Sequence, residues 1–107
     1  MAYDEDLDAS VAAVVLPWGA TRKTMFGGTG YMLNGNMVAG VNRSRVILRL
    51  AADVAARALE DPRVKPFDMT PRPMAGWVMI ERADLDDDEL VGWLERARAF
   101  VETLPHK

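Results

Sequence analysis

Near the start of the chain, Tyr3, Leu7, Val11, Val14 and Val15 recur at a spacing that lays one apolar stripe along a helix. Pro17 and Gly19 follow and predict its end. At the other end, Asp86 and Glu89 have the spacing of a capping box, with Leu85 and Leu90 in the staple positions on either side. A long helix is predicted there, because Leu90, Leu94, Ala97, Val101 and Leu104 continue the stripe, with Trp93 and Phe100 on its flanks, up to Pro105. A shorter helix is predicted from Asp53 to Glu60, with Val54, Ala55, Ala58 and Leu59 as its buried face, Pro62 beyond its end and no well-defined cap.

Between the first two helices the period changes to that of strands. Asn34-Gly35 suits a two-residue type I′ hairpin and sets a register in which Leu33 opposes Asn36, Met32 opposes Met37 and Tyr31 opposes Val38. The methionine pair then shares one face and Tyr31 takes the other. In the next strand, Val46 to Leu50, the residues Val46, Leu48 and Leu50 face the core, so Ile47 and Arg49 point the opposite way. Further strands are predicted through Lys23 to Phe26 and through Trp77 to Ile80. The order is helix, three or four strands, helix, a proline-rich segment, strand, helix, which is an α+β pattern.

At 107 residues, half of them hydrophobic, the chain suits one domain with one core spanning residues 1–107. It has no cysteine, and its first residues are acidic where a signal peptide is basic. No apolar run approaches a membrane span, and a cytoplasmic location is the expectation by elimination. The net charge of -3 conceals a layered distribution. Residues 1–21 carry four acids and no base, residues 22–80 nine bases against four acids, and residues 81–107 four bases against eight acids. Such layering fits a basic sheet packed on acidic helices, or else a surface for an acidic partner or nucleic acid.

The catalytic inventory is short. The one histidine, His106, lies next to the C-terminus, so neither a nucleophile–base pair nor an ordinary zinc site is expected, and neither is a metal or other cofactor. The acids Asp84, Asp86, Asp87, Asp88 and Glu89 gather where helix capping and the helix dipole already account for them. Gly27, Gly28 and Gly30 lead into a strand, where a phosphate loop would lead into a helix. They predict a close approach of two backbones, with Gly30 opposite Ala39, or else a small anion nest beside Arg22 and Lys23. Arg49 sits mid-strand between apolar neighbours, and Asp68 is its expected partner. Pro66, Pro71 and Pro73 stiffen a segment whose bases Arg63, Lys65 and Arg72 would border a groove with Trp77 at its base. The candidate binding residues are therefore Arg22, Lys23, Arg43, Arg45, Arg49, Arg63, Lys65, Arg72 and Trp77, with no catalytic residue among them.

The run Met25-Phe26-Gly27-Gly28-Thr29-Gly30-Tyr31, followed by Asn34-Gly35-Asn36-Met37, resembles the N-terminal domain of the TfoX/Sxy competence regulators. Leu48-Arg49, Pro66-Phe67-Asp68-Met69, Arg72-Pro73-Met74 and Gly76-Trp77-Val78 add to the resemblance, which covers nearly the whole chain. It implies a two-layer α+β fold with an antiparallel sheet flanked by helices, and a regulatory role. In the namesake regulators a second, C-terminal domain follows, and the pair is associated with switching on DNA-uptake genes beside a cyclic-AMP-responsive activator. No such second domain is expected in 107 residues, so a competence role does not carry over as it stands. The expected function is a non-enzymatic regulatory module that engages an unknown protein partner, with direct nucleic-acid binding through the basic middle as the alternative and a small-molecule-binding protein or enzyme third. A homodimer is also expected, because the apolar strands carry few obvious edge guards.

Overall fold

A computed structural model describes residues 4–25, 27–67 and 75–106. Helix α1 spans Glu5–Val15 and is capped by Asp4, whose Oδ1 accepts from the Leu7 amide. A 3-10 turn, Leu16–Trp18, ends at Gly19 in the left-handed region, so Pro17 and Gly19 terminate the helix as expected. Four strands follow: β1 Thr21–Met25, β2 Gly28–Leu33, β3 Asn36–Asn42 and β4 Arg45–Arg49. Then come α2 Ala52–Ala58, β5 Val64–Pro66, β6 Trp77–Glu81, a second 3-10 turn Arg82–Asp84 and α3 Asp87–Val101. The predicted capping box is present: the Glu89 amide donates to Asp86 and the Asp86 amide to Glu89.

Among the described residues the strands form one antiparallel sheet in the order β1-β2-β3-β4-β6-β5. Alternation of side chains divides it into two faces. Tyr31, Ala39, Leu48 and Val78 form one row across the first face and Val41, Val46, Ile80 and Val64 the next, all in the main core. Leu7, Val11 and Val15 of α1 and Leu90, Leu94, Ala97 and Val101 of α3 cover this face. The second face is much smaller in its apolar content: Ile47, Phe67 and Met79 are buried there, with Met37 and Trp77 packed against them.

Four features differ from the sequence expectation. Leu33 pairs with Asn36 and Met32 with Met37, but Tyr31 pairs with Ala39, because Val38 forms a one-residue bulge. The extra residue puts both Val38 and Ala39 into the core, which a regular register would have split between the faces. Gly30 consequently faces Gly40 in place of Ala39, and the space goes to Met37, whose Cε lies 2.7 Å from where a Gly40 Cβ would be. Helix α2 buries only Ala55, while Val54 and Leu59 are 38% and 41% exposed. The proline-rich segment contains a strand, β5, whose partner is the sequence-distant β6.

The sheet edges are also guarded. Lys23 is the central residue of β1 and Lys65 the central residue of β5, and both are exposed. An antiparallel homodimer paired about the middle of either edge would set lysine against lysine, which removes the unguarded-edge argument for dimerisation. No helix among the described residues is long and apolar enough to cross a membrane.

Candidate binding site

The charges of the helix-covered side are largely consumed by the fold. Asp8, 5% exposed on α1, accepts from Tyr31 Oη in a very short hydrogen bond, from Arg22 Nη2 at 2.6 Å and from Thr29 Oγ1 at 3.3 Å. Burial, and then the hydrogen bond to this carboxylate, push the Tyr31 hydroxyl up to about 12. This clamp fastens α1 to β1 and β2. Arg63 plays a similar part elsewhere: it bonds Asp61 at 3.0 Å, Glu89 at 2.7 Å and the Asp84 carbonyl at 3.0 Å. Hydrogen bonding to Arg63 holds Asp61 and Glu89 below their ordinary range and raises Arg63 itself. It thus ties the turn before β5 to the start of α3 and is not among the described residues that line the cleft at Trp77.

The other candidate bases are spread out. Lys23 and Lys65 sit on opposite edges of the sheet. Arg43, at φ 55 in the β3–β4 turn, gives its carbonyl to the Asp4 amide at 3.0 Å, and Arg45 next to it donates to Asn42 at 3.3 Å. Gly28 is buried in β2, where a Cβ would fall 2.0 Å from the Val41 carbonyl oxygen, so the glycine run does provide close backbone approach. Arg72 and the expected partner Asp68 lie outside the described residues.

Arg49 and Trp77 do come together. They are register partners on β4 and β6, and Phe67 follows β5 beside Trp77, with its amide 3.4 Å from the Trp77 carbonyl. The Arg49 guanidinium carbon lies over the Trp77 ring at 5.5 Å and over the Phe100 ring of α3 at 5.7 Å. The Phe67 and Trp77 ring centroids are 5.8 Å apart. Phe67, Trp77 and Arg49 therefore form one row across three strands. Ring contact stabilises the cation without using its N–H groups, and no acceptor for them is present among the described residues.

Beside the row is a cleft of about 300 Å³ between α2 and β5, lined by Ala52, Ala56, Leu59, Phe67, Gly76 and Trp77 among others, with no ionisable side chain among the described residues of its lining. Two other arginines also lie over rings, Arg96 on Trp93 at 4.5 Å and Arg98 on Trp18 at 4.8 Å. Acids accompany both: Glu95 and Glu102 pair with Arg98, and Asp61 shares a cleft with Arg96. Arg49 differs from Arg98 in having no bonded acid among the described residues, and from both in contacting two rings. Sequence reasoning found Arg49 and Trp77 but missed Phe67, Phe100 and the exposed side of α2. The adjacent Pro66-Phe67 pair was a usable signal, since an aromatic residue at the end of an extended stretch must find a surface to cover.

The sequence pattern of the TfoX N-terminal domain matches residues 18–101. That span includes Arg49, Phe67, Trp77 and Phe100 and leaves Asp8 outside it. No curated protein matches the chain, and no solved structure does.

Proposed function

The chain belongs to the TfoX N-terminal domain family, and from that premise we propose that it is a non-enzymatic regulatory module that binds a protein partner through the Phe67–Trp77–Arg49 row and the adjoining cleft. The observation that carries this reading is Arg49: a half-buried guanidinium held on two aromatic rings, with no carboxylate bonded to it among the described residues, beside an apolar cleft. Aromatic and arginine side chains around a small apolar pocket are the composition of binding hot spots. Among the described residues of its lining the cleft offers no acid, base or nucleophile, which supports binding over catalysis. The spread of Lys23, Arg43, Arg45 and Lys65 over both edges and a hairpin supports a protein partner over nucleic acid, whose backbone asks for a continuous basic stripe.

The test is capture of a partner from native cell extract, identification by mass spectrometry and a binary affinity measurement with purified components. Trp77→Ala and Arg49→Ala, each checked for an unchanged circular dichroism spectrum, are expected to lose at least tenfold in affinity. Unchanged affinity in both would refute the site. A submicromolar, sequence-selective gel shift at physiological salt would replace the protein reading with the nucleic-acid one.

A further inference from the structure

Building on that reading of the site, we infer that the partner presents an extended segment with an apolar side chain followed, two residues later, by an acidic one. The two halves of the surface demand different chemistry. The described lining of the cleft between α2 and Phe67 is predominantly apolar and carries no charge, so it takes an uncharged aliphatic or aromatic anchor. Arg49 keeps its N–H groups unclaimed among the described residues while the rings of Trp77 and Phe100 hold its position. A planar, pre-positioned fork of this kind suits a carboxylate, to which it can donate two parallel hydrogen bonds.

The spacing follows from the sheet. Arg49 and Trp77 are partners on β4 and β6 and Phe67 follows β5 beside Trp77, so the Trp77 and Phe67 walls of the cleft lie one and two strand spacings, of about 4.8 Å each, from the Arg49 backbone. In an extended peptide, side chains two positions apart share a face and lie about 6.6 Å apart. An anchor at one position and a glutamate or aspartate two positions on would therefore reach both halves, with the segment running across β5, β6 and β4. A partner terminal carboxylate on the anchor residue itself would fall short of Arg49. Self-association through this site would need a solvent-facing copy of the same pattern.

The experiment uses the full 107-residue chain, labelled with ¹⁵N, and blocked nine-residue peptides whose centre is Leu-Thr-Glu in a Gly/Ser background. Titration is expected to move the Trp77 indole and Arg49 Nε–H signals. Leu-Thr-Gln and Ala-Thr-Glu peptides should each bind at least tenfold more weakly, as should Leu-Glu-Thr, in which the acid moves to the opposite face. On the protein side, Ala56→Phe, which fills the cleft from an exposed helix position, and Arg49→Lys should cost a similar factor. Arg49→Glu should prefer a Leu-Thr-Lys peptide to Leu-Thr-Glu. Equal affinity for the Glu and Gln peptides overturns the inference, and so does binding unaffected by Ala56→Phe. An oligonucleotide that shifts the same signals while the peptides do not also overturns it. Absence of peptide binding alongside a captured partner that still depends on Trp77 sinks this inference and leaves the proposed function standing, whereas loss of both sinks both.

Discussion

The two sides of the sheet treat their arginines differently. On the helix-covered side, Arg22 is bonded to the buried carboxylate of Asp8, which also accepts from Tyr31 and Thr29. Arg49, directed by alternation to the other side at the end of β4, rests on the Trp77 ring there and reaches the Phe100 ring of α3. A buried carboxylate with several donors fixes one arrangement of elements, because removing any member strands the rest. A cation on aromatic rings is held in place and remains chemically available. The first side is thus committed to the fold, and the second is the one we propose for a partner. The basic middle of the chain is divided between these uses.

The comparison breaks most visibly at Asp8. Asp8→Ala leaves the Tyr31 hydroxyl and Thr29 hydroxyl without their buried acceptor, and an unfolding free energy lower by about 2–4 kcal/mol is expected from urea titration, Arg22 being partly solvated. Asp8→Asn should recover part of that loss. Tyr31→Phe comes next, at about 1–2 kcal/mol, since it removes one donor from the carboxylate. It also carries a pH signature. The Tyr31 hydroxyl is raised from 10.0 to about 12 in the folded chain, so its contribution is whole below pH 10 and is lost as pH climbs toward 12. Wild-type stability should fall across that window, and Tyr31→Phe should flatten the fall.

Loss of the α3 cap by Asp86→Ala is expected to cost about 1 kcal/mol. Acidification should weaken the same corner, because Arg63 lowers both Asp61 and Glu89; their contribution is present above the ordinary carboxylate range and disappears as pH drops through the depressed values. Arg63→Met should remove that part of the acid sensitivity. The smallest effect on stability belongs to Arg49→Ala, at about 0.5–1 kcal/mol for its ring contacts. A loss above 3 kcal/mol there would show that Arg49 serves the fold after all and would erase the contrast between the two sides.

How much of this was readable in the sequence depended on distance along the chain. Helix α3 was readable because its cap, staple and stripe lie within one segment, and the facing of Arg49 was readable because alternation within a strand is local. The bulge at Val38 was not, since it arises from the need to bury Val38 beside Ala39 against helices more than 20 residues away. Strand β5 was hidden by its proline and by its dependence on β6, and α2 misled because only Ala55 of its apolar residues enters the core while Val54 and Leu59 stay exposed beside clefts. Asp8 looked like one more acid in an acidic start. Its position beside Leu7 and three residues before Val11 was the available clue that it lies at the margin of the buried stripe. The partners of Arg49 could not be read locally: Trp77 and Phe100 are 28 and 51 positions further on.

The lysines at the centres of β1 and β5 have a consequence for behaviour in a crowded solution. An open sheet has two unlike edges, and docking the first edge of one molecule on the last edge of the next produces a ribbon that never closes. Here such head-to-tail growth would bring Lys23 of one copy into line with Lys65 of another and strip water from both ammonium groups. Every added copy would meet the same opposition, so the penalty scales with the length of the would-be filament. Polymerisation through the backbone edges is therefore opposed at every step of growth.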